Sequence, residues 1–121
     1  EQVNQMISTV SSVVENHTHP VDILQTTFPM GSMTGAPKIS AMKLIEELEE
    51  TKRGLYSGSM GYFSPSGDFD FNVVIRSILY NALSGYLSFS VGSAITAKSV
   101  AEKEFEECII KSKAMHEVLK N

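Results

Sequence analysis

Cysteine is nearly missing from the 121-residue sequence: it occurs once, as Cys108, so an internal disulfide is excluded. A lone thiol on a helix reads as a small buried hydrophobe in a reducing compartment. Clustered positive charge is also missing. Lys and Arg number 10 against 14 Asp and Glu, giving a formal net charge of −4, and the basic residues are scattered. No basic face is offered to nucleic acid. Long apolar runs are absent too, with nothing approaching the ~20 residues that span a bilayer. The first residues do not form a signal peptide, so no membrane partner is expected and the location is expected to be cytoplasmic. Repeats and low-complexity tracts do not occur, which excludes a solenoid. At this length the chain is one domain's worth, with room for a core but short for a multi-step enzyme.

What is present is concentrated between Phe28 and Phe63. The loop Pro29-Met30-Gly31-Ser32-Met33-Thr34-Gly35-Ala36-Pro37-Lys38 runs into a helical pattern. There proline's fixed φ and missing N–H cost little, and the unpaired N–H groups of the helix start favour anions. The loop is not a P-loop, because Lys38 follows Gly-Ala-Pro and precedes Ile39 rather than Ser or Thr. Spacing alone leaves an ordinary capped connection as the other reading. Ile39, Met42, Ile45 and Leu48 form one stripe, with Glu46, Glu47, Glu49 and Glu50 mostly opposite; a helix with one buried face follows, stopped by Gly54.

Elsewhere the pattern alternates between strands and turns. Val3 to Val14 fits either period. Asn16 to Pro20 is a turn, and Pro20 to Thr27 a short helix. Leu55 to Phe63 carries Ser57, Gly58, Ser59 and Gly61, small residues that let a backbone or a ligand approach. After a turn at Ser64 to Asp68, a strand is predicted with Phe69, Phe71, Val73 and Ile75 on one face and Asp70, Asn72, Val74 and Arg76 on the other. Arg76 needs a partner. Spacing leaves open an ion pair with Asp70 or a fork on a substrate carboxylate. Asn81 to Gly85 turns the chain into a hairpin whose return strand is Tyr86 to Val91.

The last helix is expected to open with a capping box, Ser99-Val100-Ala101-Glu102. Ala101, Phe105, Cys108, Ile109, Met115 and Leu119 would form its buried face. Glu104, Glu107 and Lys111 share a stripe beside that face. By spacing, a solvated Glu107–Lys111 ion pair is one reading of it.

Taken in order, GSMTGAPK, AMKLIEELE, RGLYSGSMGYF, GDFDFNVVIRS and GSAITAKSVAEKEFEE resemble the carboxy-terminal part of the chorismate-binding enzymes. The resemblance covers nearly the whole chain. It implies an α+β fold, mainly antiparallel sheet packed with helices, with residues 1–121 forming the C-terminal portion of a larger catalytic domain. It also favours a strand from Val3 to Val10.

As regards the site, the resemblance implies a Mg²⁺ helix. Glu107 binds the ion directly, Glu104 directly or through water, and Lys111 neutralises carboxylate charge and stands as the catalytic side chain. Arg76, Tyr56 and the N–H groups of Gly92, Ser93 and Ala94 hold a chorismate carboxylate, while Ser32 and Thr34 line the pocket. The metal, held also by a glutamate from outside this chain, acts as a Lewis acid as the ring hydroxyl leaves.

The sequence departs from the family pattern at two places. Gln5 stands where relatives carry an acid–base histidine, and Ala94 where they carry a second glycine. Within the family the blocks look most like the members that aminate chorismate on the route to 4-aminobenzoate and folate, with those that make anthranilate second. The aminating members take ammonia from a glutamine amidotransferase partner. Part of the site lies outside these residues, so the chain alone is expected to be inactive, and an inert module is the alternative from another class.

Overall fold

The computed structural model describes residues 8–120. These comprise four helices and four strands, a mixed α+β chain whose strands pair antiparallel. The chain divides into two units, residues 1–30 and 31–121.

In the first unit, α1 spans Pro20–Thr27, as the sequence predicts. Its N-cap is His19, whose Nδ1 accepts the N–H of Val21 at 3.2 Å, and Pro20 occupies the first helical position, where it needs no N–H partner. That cap engages one of the two neighbouring histidines. The hydroxyls of Thr26 and Thr27 donate to the carbonyls of Asp22 and Ile23, at 2.7 and 2.8 Å, and bind the last turn to the first. The strand expected over Val3 to Val10 falls partly outside the described residues, as does Gln5. Ser8 to Val10 are in no strand.

The second unit opens with a single helical turn, α2 (Gly31–Thr34), inside the loop read as irregular. Gly35 follows at φ +123°, a value that favours glycine. The next helix, α3, spans Lys38–Leu48 with Pro37 as N-cap and no side-chain cap. It stops at Leu48 rather than at Gly54, because Glu49 turns to an extended backbone; Gly54, at φ +60°, serves a turn further on. The apolar stripe of α3 is not buried: Ile39 is 66% and Leu48 71% exposed. Periodicity picks out the face that can be covered, not the presence of a cover.

Strands β1 (Ser59–Phe63) and β2 (Phe69–Val73) form one antiparallel ladder, from Ser59 opposite Val73 to Phe63 opposite Phe69. On one face Phe63, Phe69 and Phe71 meet with ring centroids 5.3 to 6.2 Å apart. Gly61 lies opposite Phe71, and a Cβ there would run into the Phe71 ring and the Asp70 carbonyl. The small residue thus makes room for a ring.

The alternating strand ends at Val73, three residues before Arg76. Val74, the one buried side chain among the described residues at 5% exposed, exchanges hydrogen bonds with the Ser57–Gly58 turn: its N–H donates to Gly58 O at 3.0 Å and its carbonyl accepts from Ser57 at 2.9 Å. Ile75 N–H then turns back to Val73 O at 3.0 Å, which breaks the ladder. A second ladder follows, β3 (Ile78–Asn81) against β4 (Tyr86–Phe89). Asn81 Oδ1 closes this hairpin by accepting the N–H groups of Leu83 and Ser84, at 3.0 and 3.2 Å. The return strand ends at Phe89, two residues short of the predicted Val91.

The final helix, α4, spans Ala101–Leu119. Its covered stripe shares only Cys108 and Met115 with the predicted one. Phe105 is 66% exposed, and Ile109 and Leu119 are exposed too. The half-buried positions are Glu104, Cys108, Lys111, Ser112 and Met115, so the helix turns a partly polar face inward. The capping box does not form either: the N-cap is Val100 with no side-chain cap, one residue past the serine. Ser99 Oγ is taken by the loop, accepting Thr96 N–H at 3.0 Å and donating to Ala94 O at 3.3 Å. No helix among the described residues is long and apolar enough to cross a membrane.

Candidate functional site

The inward stripe of α4 meets the segment that follows β4, and six residues converge there. Lys111 Nζ donates to the Gly92 carbonyl at 2.9 Å and pairs with Glu107 Oε1 at 2.5 Å. One turn earlier, Ser93 Oγ donates to Glu104 Oε2. Tyr56 also reaches Gly92: a Cβ there would lie 2.7 Å from its phenolic oxygen. A side chain at Gly92 would displace the Tyr56 hydroxyl, so the glycine is favoured here by the close approach of a ring and not by its own backbone angle. Tyr56, Gly92, Ser93, Glu104, Glu107 and Lys111, all drawn from the sequence, belong to one cluster.

The electrostatics follow from these contacts. Glu104 is held below the ordinary carboxylate range, first by the Ser93 hydroxyl, then by that of Ser99, with the Lys111 charge adding; desolvation opposes them. The predicted Glu107–Lys111 ion pair forms, but Lys111 also anchors the backbone of the 92–94 segment. That second bond has no local signature in the residues, since 19 positions separate its partners.

Among the described residues, no partner takes the N–H of Gly92, Ser93 or Ala94. Three successive amides without a protein acceptor suit a bound anion. Ala94 keeps its N–H, and its carbonyl is held by Ser99.

Arg76 is placed differently from expectation. It stands in the link between β2 and β3 at φ +51°, a left-handed value uncommon for a side chain of this size. The ion pair with Asp70 is not made, and among the described residues Arg76 has no hydrogen-bond or ionic partner. The strand breaks before reaching it, so the two side chains never share a face. Arg76 is exposed, so water solvates its charge, and it is the left-handed backbone that is the kind of feature that gathers at ligand sites. No direct contact joins it to the cluster.

Ser32 and Thr34 sit on α2, outside the six residues of the cluster. Their turn is instead tied to the Tyr56 segment through Arg53, which sequence reasoning passed over. Arg53 Nη1 donates to Met33 O at 3.0 Å and to Ser57 Oγ at 3.3 Å, while its other nitrogens grip Glu49. Its one visible signal was the four-residue step from Glu49.

The donor chemistry is that of a hard cation site in part only. Glu104 and Glu107 lie one turn apart and offer carboxylate oxygens, which suits Mg²⁺ with its preference for one or two carboxylates plus substrate and water oxygens. Among the described residues no group of three or more His, Cys, Asp or Glu side chains gathers anywhere. Any ion held here would draw further oxygens from elsewhere. A shallow depression on the β3–β4 hairpin, lined by residues such as Leu55, Leu79, Tyr80 and Tyr86, shares no residue with this cluster.

Comparison with known proteins places the chain among relatives of known name. The chain is 45% identical over 93% of its length to the chloroplastic aminodeoxychorismate synthase of Arabidopsis thaliana, 12% of which it spans. It is 40% identical over 97% of its length to aminodeoxychorismate synthase component 1 of Bacillus subtilis, covering 24% of that protein. Against anthranilate synthase component 1 of Aquifex aeolicus the figures are 41%, 93% and 22%. The chain thus spans no more than about a quarter of these relatives. The sequence model of the chorismate binding enzymes matches residues 1–117, and the chain belongs to that family.

Proposed function

We propose that this chain is part of an aminodeoxychorismate synthase component I, an enzyme that aminates chorismate on the route to 4-aminobenzoate and folate. The carrying observation is the convergence of Tyr56, Gly92, Ser93, Glu104, Glu107 and Lys111 in a chain matched by the family over residues 1–117. The relatives named aminodeoxychorismate synthase at 45%, 42% and 44% identity support this product over anthranilate. Those named anthranilate synthase component 1, at 41% and 40%, keep anthranilate as the second reading.

On this reading the open amides of Gly92 to Ala94 and the unpaired Arg76 bind chorismate carboxylates, Arg76 through a two-pronged fork. Tyr56 closes the pocket over Gly92. Glu104 and Glu107 would hold Mg²⁺, which when bound would supply charge neutralisation for the substrate carboxylate and Lewis acidity toward the ring hydroxyl. Lys111 fixes the Gly92 carbonyl, aims the following amides and limits the negative charge between the two glutamates. The remaining ligands and the amino-group chemistry come from sequence outside this chain, and ammonia from a glutamine amidotransferase partner.

The test is product analysis of the full-length enzyme with chorismate, Mg²⁺ and ammonium. Aminodeoxychorismate is expected. Anthranilate would keep the family and overturn the product; no turnover and no chorismate binding would overturn the reading altogether.

A further inference from the structure

Arg53 is three-quarters covered, at 25% side-chain exposure, yet it belongs to no part of the six-residue cluster. Its guanidinium serves three places at once. Nε donates to Glu49 at 2.8 Å and Nη2 to the same carboxylate at 2.5 Å, just beyond the end of α3. Nη1 donates to Met33 O at 3.0 Å, inside α2 and between Ser32 and Thr34. The same Nη1 reaches Ser57 Oγ at 3.3 Å. A planar fork with five N–H donors can do this; an ammonium cannot span the three directions.

Ser57 is held at φ +62°, a conformation a serine keeps only when its surroundings fix it. Two contacts do so here: its hydroxyl on Arg53, and its N–H on Val74 O at 2.9 Å. The preceding residue is Tyr56, whose own N–H donates to Arg53 O at 3.2 Å and whose phenol stands over Gly92. The orientation of Tyr56 is therefore set from Arg53 through both backbone and side chain. The same guanidinium fixes the turn that carries Ser32 and Thr34.

We propose that Arg53 is a positioning residue for substrate binding, holding the Ser32–Thr34 turn and the Tyr56–Ser57 turn in register so that both face one ligand. This rests on the chorismate reading above. It assigns Arg53 no contact with substrate and none with the metal-facing glutamates of α4.

The test compares Arg53→Lys, Ser57→Ala and Glu49→Gln in the full-length enzyme. For Arg53→Lys the chorismate KM is expected to rise about 10- to 100-fold, the loss typical of a displaced binding group. Its kcat should stay within about threefold and Mg²⁺ affinity, read by calorimetry, should be unchanged. Ser57→Ala should raise KM by less, and Glu49→Gln least, because the bonds to Met33 and Ser57 survive it. An unchanged KM in Arg53→Lys, with activity falling only in proportion to folded protein, overturns the proposal.

Hydrogen exchange without substrate supplies an independent arm. Residues 31–35 and 55–58 should both exchange about tenfold faster in Arg53→Lys, while α4 does not change. Exchange confined to one of the two segments, or unchanged in both, also overturns the proposal. If the wild type does not bind chorismate but both segments loosen together, the functional reading falls and the positioning role stands.

Discussion

Helices α3 and α4 are both amphipathic by sequence, and they are treated differently by the fold. The apolar stripe of α3, from Ile39 to Leu48, stays largely open. In α4 the half-covered stripe runs through Glu104, Cys108, Lys111 and Met115, while Phe105 and Ile109 remain outside. Apolar burial alone would have turned Phe105 inward, since a large ring gains most from leaving water. What holds α4 in its orientation is two hydrogen bonds, Lys111 on the Gly92 carbonyl and Ser93 on Glu104, with the His116 ring edge-on to Phe89 at 5.1 Å. The contrast teaches that, among the described residues, the facing of α4 follows its contacts with the segment around β4 rather than the burial of its largest apolar side chains.

Removing a site residue should therefore separate the two helices more sharply than removing an apolar one. The largest effect is expected for Glu107→Ala in the full-length enzyme: at least about 10³-fold in kcat/KM, the scale of losing several kcal/mol of charge stabilisation. Mg²⁺ affinity measured by calorimetry should fall with it. Leu48→Ala on the open stripe of α3 should leave both within about twofold, because an exposed side chain loses little on truncation. Equal losses from the two changes would break the comparison.

Arg76→Ala comes next, with chorismate KM expected to rise about 10- to 100-fold, the cost of about 1.5–3 kcal/mol for a charge-assisted bond. Arg76→Lys should recover little of it, because an ammonium cannot form the fork. Full recovery would show that charge alone matters at this position.

The difference between the helices also shows what the sequence could convey. Local elements were legible: α1, the β1–β2 alternation around Phe69 and Phe71, and the Asn81–Gly85 turn follow from period and turn chemistry. The common stripe of the candidate residues Glu104, Glu107 and Lys111 on α4 was legible from their helical spacing. The facing of that stripe was not, since it depends on Gly92 and Ser93, which the chain brings in from 19 and 11 residues away. Strand continuity misled at Arg76: alternation continues past Val73, but the Ile75 N–H turns back to the Val73 carbonyl and breaks the ladder. Ser99 matched a capping box by spacing and was claimed instead by Thr96. In each case a nonlocal or competing hydrogen bond overrode a local pattern.

A smaller effect, and one confined to the cluster, is expected at Gly92. A methyl group there would lie 2.7 Å from the Tyr56 hydroxyl, so the phenol must shift. Gly92→Ala should raise the chorismate KM about tenfold, and Tyr56→Phe in that background should restore part of the loss by removing the clashing oxygen. Additive losses in the double variant would mean that the two residues do not meet.

The smallest effect separates α3 from the site by pH. Glu49 is held below the ordinary carboxylate range, chiefly by its hydrogen bonds to Arg53, with the Arg53 charge adding and desolvation opposing. A carboxylate whose folded pKa is depressed binds protons less readily in the folded than in the unfolded chain. Its contribution to stability is thus fully present above the ordinary carboxylate pKa and is lost as pH falls through the lowered folded value. The pair is partly exposed, so after solvent screening it should contribute under about 1 kcal/mol. Urea unfolding of wild type and Glu49→Gln should differ by that amount near neutral pH and converge in acid. The difference should also shrink in 1 M salt, where charges on the surface are screened within about 3 Å. A gap that persists in acid would mean that Glu49 stabilises the end of α3 by packing rather than by charge.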